Sequence, residues 1–251
     1  MKPTQIAELF ANTKKTFVSF FSILMFVALG VGIFLGITWT APALQNAADK
    51  VLDEGSFHDI QIQYLFGLTE ADIDKLSQVE GVSKVEAARQ SFETLIVNSV
   101  AYTVKVHSIG DEIDVPIVIE GSLPRGPGEI ALQRASAKRL GLGIGDVVAF
   151  QSGNVSPASG KAYLASDTFT VTALVESPEY IANSTSTFGL SVSSSGSVDA
   201  LSWVSIDSFD PSAFLDAYPV VNVRCDSLRG LSTFSNSYKD KVSAIEPRIT
   251  S

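Results

Sequence analysis

The stretch from Phe17 to Trp39, FVSFFSILMFVALGVGIFLGITW, decides how the rest of this chain is read. No Asp, Glu, Lys, Arg or His interrupts the sequence between Lys15 and Asp49. At 1.5 Å rise per residue such a run covers roughly 30 Å or more, the thickness of bilayer hydrocarbon. A helix satisfies its own backbone groups, so the run is stable in lipid and a poor fit for a soluble surface. The residues before it form a short tail, and those after it lie on one side of a membrane.

Ala41-Pro42-Ala43 resembles a signal-peptide cleavage site. The apolar run exceeds the roughly 7–15 residues of a signal h-region, and a proline between the alanines is a poor cleavage context. The run therefore reads as a retained anchor. Lys2, Lys14 and Lys15 precede it against Glu8 alone, whereas the whole chain carries a net charge of −9. Lysines flanking the span predict a cytoplasmic N-terminus, with the main domain outside a bacterial cell membrane. An acidic external domain disfavours nucleic acid and anionic headgroups, both of which need basic patches. The single cysteine, Cys225, excludes an internal disulfide and reads as a small apolar residue of the strand VVNVRC.

Within the span, Gly32 and Gly36 form a G-x-x-x-G, with Ala28 and Gly30 close by. Small residues on one side let another helix approach, which makes Gly32 and Gly36 the candidate helix-packing residues. With no ionisable residue the span offers no proton relay or ion site. Lys14 and Lys15 are the candidate cytoplasmic flank. The tail 3–16 reads equally as a short interfacial helix, with Ile6, Leu9 and Phe10 on one face, or as a plain positively charged flank.

Beyond the span, APALQNAADKVLDE (41–54) has helical periodicity and stops at Gly55. FHDIQIQYLF alternates as a half-buried strand, and Thr69 to Asp72 opens a short helix that Gly81 closes. VSKVEAARQSFETLIV and AYTVKVHSIG read as two strands meeting near Asn98-Ser99. This β-α-β-β order predicts an α+β layer. A second, β-rich unit is expected over 117–200, with the strand EIAL, the helix QRASAKRL, and the strands VVAF and FTVTALVES. It ends in a Ser/Gly-rich loop, 183–199. WVSID and VVNVRC add strands, and an amphipathic helix with Leu231, Phe234, Tyr238, Val242 and Ile245 on one face follows.

Catalytic patterns are missing. His58 and His107 sit in separate strands without ligand spacing, and there is no G-x-S-x-G, no P-loop and no dinucleotide fingerprint. The glycines of GLGIGD precede a strand, not a helix, which makes them a turn. No catalytic residue, cofactor or metal ligand is assigned.

Three segments, in order, resemble the N-terminal part of FtsX/MacB-type ABC-transporter permeases. Asn12-Thr13-Lys14-Lys15-Thr16 running into the span is similar to their N-x-K-[KR]-T lead-in. LTEADIDKLSQVEGVSKVEAA is similar to their recurrent helix unit after the first external strand. LPRGPGEIALQRASAKRLGLGIGDVV is similar to their Pro-Gly-Glu-Ile strand, Ala-Lys-x-Leu-Gly helix and Gly-Asp turn. The resemblance implies a membrane-anchored α+β chain: one N-terminal transmembrane helix, then a porter-like α/β layer with a small β-rich insert. The expected division is a tail at 1–16, a span at 17–40, a porter-like domain from 41–116 and 201–251, and an insert at 117–200. It further implies a permease component that is not itself an enzyme. Its external domain moves when a separate cytoplasmic ATPase hydrolyses ATP, and it works as a dimer or with further permease helices. Such permeases carry three more spans after the external domain, which are expected past Ser251. The other reading of the residues is a single-pass anchored binding module whose contact surface is the 183–199 loop.

Overall fold

The computed structural model describes residues 3–151, 153–180 and 197–249, with side chains at all of these except 3–15 and Leu65. Most of the 183–199 loop and the side chains of Lys14 and Lys15 lie outside the described residues. The chain divides into two compact units, Met1–Ala47 and Ala48–Ser251.

Helix α1 (Pro3–Glu54) is continuous through Pro42. Thr16–Glu54 is long and apolar enough to cross a membrane by length and composition. Three of its hydroxyls turn inward: Ser22, Thr38 and Thr40 donate to the carbonyls of Val18, Phe34 and Gly36 at 2.9, 2.7 and 2.6 Å. That removes their exposed hydrogen-bonding demand, as an apolar solvent requires.

The second unit holds two sheets. In the first, β1 (Ile60–Leu68) and β2 (Val82–Ala88) both run antiparallel to a strand from near the C-terminal end, β10 (Tyr218–Cys225), which lies between them. Helix α2 (Glu70–Ser77) connects β1 to β2, so the arrangement is a split β-α-β unit. Thr69 opens α2, where its N–H and hydroxyl both donate to the Asp72 carboxylate, at 3.1 and 2.7 Å. Leu76 of α2, Val221 and Val223 of β10, and Ile245 of α4 (Asn236–Ile249) form the core of this lobe, with Ile60, Ile62 and Tyr238 packed on it. Asp59 ties the layers together, accepting from the Cys225 N–H at 2.7 Å and the Tyr238 hydroxyl at 2.8 Å.

The second sheet has seven strands, β3 (Gln90–Val97), β4 (Val100–Ser108), β5 (Ile117–Gly121), β6 (Glu129–Gln133), β7 (Val147–Ala149), β8 (Thr168–Glu176) and β9 (Ala200–Val204). Their order is β3-β4-β9-β6-β8-β5, with β7 also on β8. The sheet curls until its ends meet: Leu95 bridges Phe150, and the Gln151 N–H donates to the Thr94 carbonyl at 2.7 Å. The result is a small barrel in which β5, paired with β8 alone, keeps one free side among the described residues. Val104, Val106, Ile130, Leu132, Phe169 and Val171 belong to its main buried cluster, and α3 (Arg134–Leu140) adds Ala137 and Leu140. A second cluster, around Leu201, Trp203, Val175 and Tyr180, packs the opposite face. Strands β6 and β9 are buried on both faces, which is why their sequences are nearly continuous apolar runs.

Strand pairing departs from the expected division in one respect. VSKVEAARQSFETLIV is not one strand; it breaks at Arg89, and its two halves enter different sheets. Strands β3, β4 and β9, assigned by sequence to the porter-like layer, lie in one sheet with β5 to β8 of the expected insert, joined to them through β9 on β6. The physical reason is that β9 lies between β4 and β6, parallel to the first and antiparallel to the second, long-range pairings that local periodicity does not encode. The β3–β4 turn falls where expected, with Asn98 and Ser99 at φ 50° and 65°, the hand that a two-residue hairpin needs. Helix α2 ends at Ser77, before Gly81.

Candidate functional site

Two concave regions lie where the split β-α-β lobe meets the barrel. The first is polar. Glu86 of β2 accepts the backbone N–H groups of Asp111, Glu112 and Ile113, the latter two at 3.3 and 2.7 Å, which folds the segment before β5 back onto the first sheet. Gly110 permits the close turn, since a Cβ there would fall 2.3 Å from the Ile113 carbonyl oxygen. Asp114 then accepts the His58 N–H at 3.0 Å and lies 2.7 Å from His58 Nδ1. Across the seam, Lys105 donates to the Tyr180 hydroxyl at 2.9 Å, and that hydroxyl is 3.3 Å from His107 Nε2. His107 stacks on Trp203, with 5.6 Å between centroids.

Burial, with Lys105 beside it, holds the His107 imidazole well below its usual range and therefore neutral. Burial also raises the Glu179 carboxyl, an effect Lys105 partly offsets, and lowers the Lys105 ammonium. The space these groups surround is about 30 Å³, room for one water and not for a substrate. This seam is a polar joint between the two sheets. Among the described residues no group of three His, Cys, Asp or Glu could hold a metal ion. Cys225 is buried, and burial pushes its thiol up to about 11, so it is not a ready nucleophile.

The second region is an apolar cleft of about 500 Å³. Phe66 of β1 forms one wall, and Phe92, Val155, Tyr163, Phe214 and Leu215 of the barrel side form the other. Phe214 packs against Tyr163 and Phe209 with centroids 5.1 and 5.9 Å apart. Behind them Arg89, the residue at which the chain passes between sheets, lies 4.6 Å from the Tyr218 ring and 5.7 Å from Phe214. It is held by Ser108, which receives from its N–H at 2.9 Å and donates its own N–H to its carbonyl at 2.9 Å. Gln90 and Asn154 supply the polar floor, with Asn154 Nδ2 donating to the Phe92 carbonyl at 2.6 Å. No charged side chain lines the cleft among the described residues.

Two backbone features shape its rim. Gly67, at φ +73°, lets β1 approach β10 so closely that a Cβ would stand 2.6 Å from Ala217 Cβ. Leu215 and Asp216 both have φ 58°, an uncommon region for side-chain-bearing residues, and this turn leaves Leu215 exposed.

The residues selected by sequence belong to the first unit and line neither region. Gly32 and Gly36 are on α1, where a Cβ at either would meet nothing within 4 Å, so that side of the helix is open. His107 reaches the polar seam from β4, but His58 lies in the connection between α1 and β1 and not in a strand as expected. The cleft was not visible in sequence, because its walls come from separated segments. The one local signal was YLFG, where apolar residues continue past the alternating IQIQ.

No family model matches this sequence, and no curated protein matches it. Among solved structures it is similar to the extracellular domain of the noncanonic ABC-type transporter YknZ from Gram-positive bacteria. There the identity is 15%, over 73% of this chain and 87% of that one, with a TM-score of 0.43. The periplasmic region of MacB from Actinobacillus actinomycetemcomitans matches at 11% identity over 74% and 76%, with a TM-score of 0.39. A domain of a protein described as a permease, from Porphyromonas gingivalis, matches at 13% identity over 76% and 80%, with a TM-score of 0.39. This chain is similar to extracellular and periplasmic regions of ABC-type permeases. In this chain the apolar helix α1 is followed by a mixed α/β unit built on sheets.

Proposed function

We propose that the chain is the permease component of an ABC transporter of the export or mechanotransmission type. Its second unit stands outside the membrane and moves in response to ATP hydrolysis by a separate cytoplasmic ATPase. Support comes from the three sequence segments that resemble such permeases. The observation that carries the mechanical part lies at the end of α1. The helix that supplies the membrane span continues, unbroken, into residues built into the folded unit. Leu52 is buried there, Asp49 accepts the Thr233 N–H at 3.1 Å, and Gly55 packs against the Pro178 ring. Residues 48–54, the last turns of that helix, thus belong to the folded unit. Gly32 and Gly36 would pack against other permease helices or a second copy, and Lys14 and Lys15 would face the ATPase side.

The reading is tested by purifying the full chain from its native membrane in detergent. Retention of a cytoplasmic ATPase subunit is expected, and its repeated absence under conditions that keep other membrane complexes whole would sink the assignment. Orientation is tested with a Thr4→Cys chain in intact cells, in which a membrane-impermeant thiol reagent is expected not to label Cys at that site. A second reading, a single-pass anchored binding module, is favoured by the open apolar cleft. It calls for a bound partner without any ATPase.

A further inference from the structure

The wall of the cleft formed by β1 has a property the other wall lacks: it is an unpaired strand edge. In the first sheet β1 is outermost, and among the described residues no strand pairs with its outer side. Its pairing with β10 is regular from Ile60 to Gln63 and then slips, resuming at Leu68. Past that point the apolar face of β1 outruns its cover. Ile60 and Ile62 pack into the core under the helices, but Tyr64 and Phe66, in edge-on contact at 6.0 Å, are 53% and 72% exposed. An edge with free backbone groups and bare aromatic side chains is a template for another strand, and proteins ordinarily blunt such edges with charge or proline. Here no charge stands between Asp59 and Glu70.

The surroundings specify what would fit. The cleft lining is uncharged, so the central side chains of the occupant are apolar. Only alternate side chains of an added strand point one way, so they enter the cleft at every second residue. The chain around it is acidic. Residues 1–47 carry +2 (Lys2, Lys14 and Lys15 against Glu8), which leaves −11 of the total −9 to residues 48–251. Glu70, which accepts the Tyr218 hydroxyl at 2.7 Å, and Asp216, next to Leu215, are the near acids. Charge complementarity therefore favours basic flanks.

We propose that the outer edge of β1 and the adjoining cleft capture an extended segment of a partner protein, with bulky apolar residues at alternate positions and basic residues at its ends. Backbone hydrogen bonds to β1 supply the affinity, and Phe66, Phe214 and Leu215 select the side chains. The strained turn at Leu215 and Asp216 is retained because it presents an apolar side chain to the incoming strand. The inference stands on the cleft and edge alone and does not require an ATPase partner.

The full chain in phosphatidylcholine nanodiscs is titrated against a fluorescein-labelled probe peptide, acetyl-Lys-Val-Thr-Phe-Thr-Val-Lys-amide, with empty discs as the blank. Saturable binding is expected, and Phe66→Ser and Leu215→Ser are each expected to weaken it tenfold or more. Both positions are exposed, so either variant is kept only if its circular dichroism matches the parent. A probe of the same sequence with alternate backbone amides N-methylated is expected to lose at least tenfold. Equal binding of the methylated probe would mean an apolar pocket and not strand addition, and would overturn the proposal. So would binding no better than to empty discs, or unchanged affinity in both variants. Disulfide cross-linking of two copies through Tyr64→Cys would overturn it in favour of a second copy of this chain as the occupant.

Discussion

The barrel and the split β-α-β lobe are built from the same chain to opposite specifications. The barrel joins β3 to the chain just past β7, through the Leu95–Phe150 bridge and the Gln151 bond to Thr94, buries both faces of β6 and β9, and leaves a free outer side on the five-residue β5 among the described residues. The lobe has three strands, two outer edges without a partner strand among the described residues, and one helical layer that stops short of Tyr64 and Phe66. A sheet that curls onto itself offers little edge to another chain, while a short open one is incomplete without something on its edge. The difference teaches where interaction can occur: the barrel is scaffold, and the lobe is the part that others complete.

The strongest test of that contrast is a large deletion in the barrel. Phe169 is 1% exposed and meets Phe150 edge-on with centroids 5.8 Å apart. Phe169→Ala is expected to destabilise the chain by roughly 3–5 kcal/mol, the usual range for emptying such a site. The measurement is the urea midpoint in nanodiscs followed by fluorescence, to which Trp203 in the barrel reports. A loss under about 1 kcal/mol would show that the barrel is not the rigid part.

A backbone test of the same body comes next. Gly121 ends β5 at φ +84°, and a Cβ there would fall 2.1 Å from the Thr172 carbonyl oxygen. Both atoms belong to backbones fixed by pairing between β5 and β8, so neither can give way. Gly121→Ala is therefore expected to lower stability by roughly 2–3 kcal/mol, combining left-handed strain with the clash. Hydrogen exchange should localise the added opening to β5 and β8. Equal protection before and after substitution would mean the β5 edge is already loose.

Why these features were partly legible follows from the range of the signal each depends on. The span, the strands and the short helices announce themselves by composition and period within a few residues, and the structure has them nearly where the sequence puts them. The Asn98-Ser99 turn is legible because the local backbone hand selects those residues. Arg89 is the counterexample. It is neither glycine nor proline, yet it stands where one apparent strand divides between two sheets. What fixes the break is remote: Ser108 grips both of its backbone groups, and Tyr218 and Phe214 lie beside its guanidinium. Likewise the pairing of β4 with β9 spans nearly a hundred residues. The cleft depends on both, so no local reading could assemble it, and Gly32 and Gly36, which are local, say nothing of it.

A subtler contrast lies within the barrel itself, where one polar group departs from the dry interior. Glu93 is 5% exposed, and its Oε1 has no hydrogen-bond partner among the described residues. Burial raises its carboxyl above the ordinary range, more than Ser91 and Asn154 lower it. In the native state it therefore holds its proton at pH values where the unfolded chain has released it. The native state then binds more protons, and stability falls as pH rises from about 4.5 through the raised value. Glu93→Gln removes that slope. The variant is expected to match the parent near pH 4.5 and to melt at a higher temperature than the parent at pH 8. His107 acts with opposite sign, because the unfolded chain binds the extra proton below about 6.5. Both chains carry it, so the difference between them cancels it. A melting difference that does not change with pH would mean Glu93 is solvated or paired.

The smallest expected effect is the one that most sharpens the comparison. Phe66→Ser removes a large apolar side chain, but 72% of that residue already faces solvent and it packs under neither α2 nor α4. Exposed substitutions away from caps, cores and buried charges usually stay within about 0.5 kcal/mol, and that is the change expected in the urea midpoint. The same chemistry at Phe169 would be ruinous, although both are phenylalanines in strands of the same unit. If Phe66→Ser instead costs about 2 kcal/mol or more, something in the isolated chain already covers the end of β1, and the open lobe is closed. If stability is unchanged while binding of the probe strand falls, the side chain serves no fold of its own. A bare phenylalanine kept at a strand edge, neutral for stability and decisive for association, is then explained by the partner that covers it.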